Sequence, residues 1–261
     1  VGVDGWSGHL LATAPKTVQD MYLEGMRAVA FDLCELEHVD TQAQAAAQAP
    51  NTRRCVPPAW TEWVAVLLPK PGEDPALFHR RRDIWLQPHG LKLFMLTLRP
   101  EYELAARKAV PHSQSGFAAE RNAAESTLAL VLHREGAEAT RRGTYRGYCD
   151  YATFFESVCR DVQRVVERES GVKPSITHVV MALQDATIRR VDTGAGMTPG
   201  VGSFRGLGQG DVSSPVRSKL MLAIMQRAVH RLCCGGTMGT PHGCSEAAMP
   251  AVLFADDAAY C

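Results

Sequence analysis

A chain of 261 residues with 46% hydrophobic and 21% charged residues has the composition of an ordinary globular protein, which excludes the disordered and fibrous classes. Its formal net charge is zero, yet residues 1–50 hold seven of the 28 acids and two of the 28 bases; the remainder carries about +5, so any polyanion site lies after residue 50. Eight cysteines without a signal-peptide pattern in VGVDGWSGHLLATAPK read as intracellular thiols, and the longest apolar runs, WVAVLLP and LKLFMLTL, fall short of the roughly 18 residues that span a bilayer. A soluble intracellular chain with no membrane partner is expected.

In chain order, the spacing of apolar residues in TVQDMYLEGMRAVAFDLCELEHV predicts a helix within residues 1–40. The Ala/Gln-rich stretch up to Pro57-Pro58 breaks it and reads as a linker. WTEWVAVLLPK and RRDIWL then form a predicted hairpin around Pro71-Gly72, with Lys70 on one arm and Arg80, Arg81 and Arg82 near the other, followed by a helix through LKLFMLTL. A helix of about five turns is expected between Ser115 and Gly143, and a strand through Asp150 runs into a long amphipathic helix closed at Gly171. A helix in ITHVVMALQDA precedes the extended TIRRVDTG; a Gly-rich loop, GAGMTPGVGSFRGLGQGD, leads into a helix past Pro215. MPAVLFADDAAYC reads as strand, turn, strand. Because strands and helices alternate without regular β-α-β spacing, an α+β fold with an antiparallel sheet is expected. The start at Val1 and the stop at Cys261 inside an apparent strand suggest a fragment.

Three carboxylates stand at the ends of apolar strands: Asp150 after YRGYC, and Asp256 with Asp257 after AVLF. Such groups repel by roughly 1–4 kcal/mol when about 4 Å apart, so something positive must compensate them. Two hard divalent ions held about 3.5–4 Å apart would do so, provided a turn twists the adjacent aspartates into one site. The alternative is a solvated hairpin turn, in which aspartate is common. Cys233, Cys234, His242 and Cys244 offer zinc-type ligands but lack C-x2-C spacing.

The ordered blocks LLPKPG, RRDIWL, SQSGF, CDYATFFESV, GLGQGDVSSP and FADD resemble the reverse transcriptases of non-LTR retrotransposons and related retroelements, from about Pro57 to Cys261. The resemblance implies a right-hand polymerase palm, an antiparallel sheet with helices on one face, together with fingers and without a thumb. Residues 1–56 would be an N-terminal helical segment and linker, 57–148 fingers, and 149–261 a truncated palm that includes the 200–234 fingers/palm segment. It implies RNA-directed DNA polymerase activity, a nucleotidyl transfer with two magnesium or manganese ions. Asp150, Asp256 and Asp257 match the family's metal-binding aspartates, and Phe155 matches the residue that excludes a ribose 2′-hydroxyl. Gln209 and Gly210 match the loop against the incoming nucleotide and template, and Ser214 and Pro215 the start of the helix behind it. Lys70 and Arg82 match basic fingers residues near the triphosphate.

The implied partners are an RNA template, a DNA primer and deoxynucleoside triphosphates, with no protein partner, and a nuclear location if the element is eukaryotic. The chain departs from the family at Phe154, usually Ala, at Glu156, usually Asp, and at Arg217-Ser218, usually Leu-Phe; an Arg after Phe117 is also missing. Read locally, Phe155 also suits a core aromatic, Gln209-Gly210 a helix-entry turn, and Arg80–Arg82 a solvated patch. Arg189, Arg190, Arg205 and Lys219 are candidates for nucleic-acid backbone contact that nothing local separates from an ordinary charged face. Two alternatives remain: a catalytically inactive retroelement remnant that binds nucleic acid, and an RNA-dependent RNA polymerase, against which Phe155 argues.

Overall fold

The computed structural model describes residues 12–35, 56–72, 74, 77, 81–119, 121–139, 141, 147–151, 153–235, 251–254 and 257–260. Contacts divide the chain into two compact units, each assembled from separate stretches: Val1–Tyr102 with Phe155–Ser214, and Glu103–Phe154 with Pro215–Cys261.

The first unit begins with helix α1 (Lys16–Glu35) and a single helical turn, α2 (Pro58–Thr61). Proline opens that turn at no cost, since its missing N–H falls where a helix has no acceptor to offer. Strands β1 (Glu62–Pro69) and β2 (Arg81–Leu86) pair antiparallel, with Leu68 opposite Arg82 and Ala65 opposite Trp85, and helix α3 (His89–Ala109) follows, in this unit as far as Tyr102. The expected hairpin is therefore present. The short turn α5 (Phe154–Ser157), helices α6 (Arg160–Glu169) and α7 (Pro174–Asp185), and strands β4 (Ile188–Asp192) and β5 (Val201–Gly202) complete the unit.

These strands form one four-stranded sheet in the order β2-β1-β4-β5. Here the expectation of an antiparallel sheet is corrected: β1 and β4 run parallel, with Trp63 opposite Arg189. A parallel pair must be joined by a long crossover, so its two strands leave no short-range signal in the sequence. The core gathers Trp60, Trp63, Trp85, Leu91, Phe94 and Met95 with the buried face of α7, Val179 to Leu183. Burying side chains of this size contributes roughly 1.5–3 kcal/mol each before the entropy of ordering them is counted.

The amphipathic helix expected from Asp150 to Gly171 is interrupted. It stops at Ser157 and restarts at Arg160: Cys159 between them is extended, and the Val158 carbonyl accepts a hydrogen bond from Gly206 N–H at 2.9 Å. Helix α6 buries polar side chains beside the apolar Val166: Gln163 donates to Glu167 at 2.7 Å, and Tyr102 donates to the same carboxylate at 3.1 Å. Arg160, also buried, pairs with Asp185 at 2.6 Å and donates to Ser203 Oγ at 2.8 Å. These bonds satisfy groups whose burial is otherwise costly.

The second unit holds helix α4 (Ala123–Ala139), strand β3 (Gly147–Asp150), most of helix α8 (Ser214–Gly235), and strands β6 (Ala251–Phe254) and β7 (Asp257–Tyr260). Its sheet, in the order β3-β7-β6, is antiparallel throughout, as expected. Helix α8 buries Val216, Leu220, Leu222 and Ala223 along with Arg217 and Lys219. Lys219 Nζ donates to the Phe117 carbonyl at 3.0 Å and lies 3.6 Å from Glu103, while Gln226 bonds Ser113. Phe117 itself has φ of +54°, a left-handed backbone that is rare for a bulky residue and is held here by that lysine.

Candidate functional site

In the first unit, the glycine-rich segment GLGQGD is a loop clamped from two sides. Leu207, fully buried, donates its N–H to the Phe155 carbonyl at 2.7 Å, next to the Gly206 bond already described. On the other side, Trp85 N–H donates to the Gln209 carbonyl at 2.7 Å, so the loop covers the free edge of β2. An edge strand otherwise presents unpaired backbone groups.

The glycines are what make this fit. Gly206 and Gly210 have φ of +88° and +102°, where other residues are strained. A Cβ on Gly206 would sit 2.9 Å from the Glu156 backbone, and one on Gly210 would sit 2.6 Å from the Trp85 carbonyl oxygen. The loop then enters α8 through Asp211, a buried carboxylate that accepts from Ser213 N–H at 2.9 Å and Ser213 O–H at 3.0 Å. Ser214 Oγ ties the helix start back to the Leu207 carbonyl at 2.7 Å. Asp211 thus acts as a cap, satisfying donors that a helix start leaves open. Among the described residues, it is a part of the site that the sequence reading passed over, although an Asp followed by Ser-Ser-Pro is a recognisable helix entry.

The same unit holds the other predicted nucleotide-contacting residues. Lys70 directly follows the end of β1 and Arg82 stands on β2 opposite Leu68, so both occupy the turn end of the hairpin, and both are exposed. Phe155 is half-buried and its carbonyl anchors the loop that carries Gln209 and Gly210. Lys70, Arg82, Phe155, Gln209 and Gly210 are therefore all parts of one compact unit.

The four basic residues named as possible backbone contacts fall into different environments. Arg189 lies over the Trp85 ring at 4.6 Å, a cation–π contact, and burial followed by the charge of Arg160 pulls its pKa below the ordinary value, with Glu156 and Asp83 opposing. Arg190 pairs with Glu62 and donates to the Thr198 carbonyl at 3.3 Å. Lys219 is buried against Phe117. Arg205 alone of the four is exposed with no side-chain partner among the described residues.

In the second unit, Asp150 ends β3 and is exposed, with no cationic partner among the described residues. Its register partner across the ladder is Asp257, the first residue of β7. Asp256, between β6 and β7 in the sequence, lies outside the described residues, as do His242, Cys244 and the side chains of Cys233 and Cys234. Among the described residues no group of three or more His, Cys, Asp or Glu side chains gathers as a metal site, but those residues omit Asp256. No helix of the described residues is long and apolar enough to cross a membrane. No protein-family model matches this chain, and no curated protein matches it.

Proposed function

We propose that this chain is the fingers and palm of an RNA-directed DNA polymerase of the retroelement type, which extends a primer with deoxynucleotides on a template strand. The observation that carries the reading is the register of Asp150, the last residue of β3, opposite Asp257, the first of β7. Like charges directly opposite each other destabilise a sheet, and register partners on antiparallel strands share one face. A cation that uses both would offset that repulsion, and the all-oxygen donor set suits a hard divalent ion. Asp150, Asp256 and Asp257 would hold magnesium or manganese, whose chemistry when bound is to activate the primer 3′-hydroxyl and neutralise the leaving pyrophosphate.

The other residues take binding roles. Lys70 and Arg82 would meet triphosphate oxygens, with the arginine able to donate two parallel bonds. Phe155, five residues past Asp150, would press on the sugar and leave no room for a 2′-hydroxyl. Its backbone bond to Leu207 couples that ring to the loop that carries Gln209 and Gly210, which would pack against the nucleotide and template. The inactive-remnant reading draws on Arg217, fully buried where the family usually has Leu.

Primer extension tests the proposal. With magnesium or manganese, the chain should extend oligo(dT) on poly(rA) with dTTP and not with UTP, Asp150→Asn should abolish extension, and Phe155→Ala should admit UTP. Equal use of UTP by the unmodified chain would point to an RNA polymerase. Absence of both extension and metal binding would leave the inactive remnant.

A further inference from the structure

We infer that Phe204 and Arg205 form a landing point for the single-stranded template, with one unpaired base stacked on the ring and an adjacent phosphate on the guanidinium. This deepens the polymerase reading and rests on it. The sequence reading did not single out Phe204, and it named Arg205 with three other basic residues as a candidate backbone contact that nothing local separated from an ordinary charged face. The structure sets both residues apart.

Phe204 is 84% exposed, the most exposed of the large hydrophobic side chains among the described residues. It is not on a loose segment. On its N-terminal side, Ser203 is buried, donates its N–H to the Thr187 carbonyl at 3.1 Å, and receives a hydrogen bond from Arg160 at 2.8 Å. On its C-terminal side, Gly206 N–H bonds the Val158 carbonyl at 2.9 Å and Leu207 N–H bonds Phe155. Two residues between such anchors project from a backbone that is already fixed.

The ring's resting place is also specific. A Cβ on Gly202 would meet Phe204 Cζ at 3.3 Å and two further ring carbons at 3.7 and 3.8 Å, so glycine there leaves room for the ring to lie along strand β5. The ring thus has a defined position while most of its surface stays in water. Beside it, Arg205 is exposed with no side-chain partner among the described residues, unlike Arg189, Arg190 and Lys219, which the fold has already engaged.

An ordered, solvated aromatic next to an unengaged cation is the combination that binds single-stranded nucleic acid: bases stack on the ring whatever their identity, and the cation meets the backbone. The position in the chain agrees, because the segment runs directly into Gln209 and Gly210. A base held on Phe204 would be delivered towards the loop proposed to contact the nucleotide.

The test uses the full chain and a fluorescein-labelled 12-nucleotide oligo(U), without metal or nucleotide. Phe204→Ala should weaken binding about fivefold to 150-fold, the range for loss of one stacked base. Phe204→Trp should bind like the unmodified protein, and its emission should be quenched by oligo(U) but not by an abasic strand of equal charge. Arg205→Ala should reduce the slope of log affinity against log salt by about 0.7, one phosphate contact on a single strand. Both alanine variants should keep the parent's melting temperature. Parental affinity in Phe204→Ala overturns the inference, as does quenching by the abasic strand, or a chain that binds no oligo(U). A Phe204→Ala variant that changes only the molecular mass in light scattering assigns the ring to a protein contact and also overturns it. The metal response of Asp150 is read in a separate experiment, so failure here with that response intact removes the landing point and leaves the polymerase proposal standing.

Discussion

The two units place their functional candidates in opposite kinds of surroundings. In the first, the glycine loop is held by hydrogen bonds to Phe155, Val158 and Trp85, and Leu207 at its centre is fully buried. In the second, Asp150 closes a strand that is exposed at all four positions, in a sheet that has three strands among the described residues. Small sheets of this kind are marginal without support from packing. The glycine loop is thus built into a core, whereas the Asp150 carboxylate stands in water, where charge costs least. Its pairing with Asp257 is the kind of contact that a bound ion can strengthen.

The largest effect that would break this contrast is expected in the loop. Gly210→Ala combines a positive φ with a Cβ 2.6 Å from the Trp85 carbonyl oxygen, so the backbone must shift. We expect a loss of about 3 kcal/mol in urea denaturation. A loss below about 0.5 kcal/mol would mean that the loop is not clamped as described.

Next, Asp211→Ala removes both acceptors that Ser213 uses at the start of α8, and should cost about 2 kcal/mol. Asp211→Asn keeps one acceptor and should recover part of that loss; equal destabilisation by the two variants would assign the effect to the charge rather than to the cap.

In the second unit the sign reverses, because removing a charge there should not harm the metal-free protein. Magnesium or manganese at ten times its dissociation constant should stabilise the chain by about 1.4 kcal/mol. Asp150→Asn should lose that gain, while its metal-free stability stays at or slightly above the parent's as repulsion is relieved. An undiminished gain in the variant would locate the ion elsewhere.

The smallest effect belongs to Arg82→Ala. An exposed side chain on β2 should change stability by no more than about 0.5 kcal/mol. Its effect should appear instead as a raised KM for the incoming deoxynucleotide, and an unchanged KM would remove Arg82 from the site.

How much of this was legible beforehand depended on how far each cause lies along the chain. The β1–β2 hairpin was legible because its arms and turn are contiguous and Pro71-Gly72 marks the reversal. The strand-turn-strand of residues 251–260 was legible for the same reason. The parallel pairing of β1 with β4 was not, since Trp63 and Arg189 are brought together across more than a hundred residues. The break between α5 and α6 was hidden too: Val158 and Cys159 carry no helix-stopping signal, and the bond that Val158 makes there comes from the distant Gly206. At the site, alternate glycines at 206, 208 and 210 announced a special backbone, but not that Trp85 would be its partner. The roles of Arg189 and Lys219 turned on burial, which local charge pattern does not report.

Strand β3 has a further consequence. Among the described residues only one of its two edges is paired, to β7, and the other is open. An open edge is a template on which a second chain can add a strand, and proteins limit that hazard with short edges and with charge. Here the edge is four residues long and ends on Asp150. The carboxylate proposed to hold an ion therefore also guards against self-association. Neutralising it should lower the concentration at which the protein begins to scatter light, even where it adds to the stability of the monomer. An ion bound at Asp150 would mask the same charge, so solubility and catalysis would draw on that one residue in opposite directions.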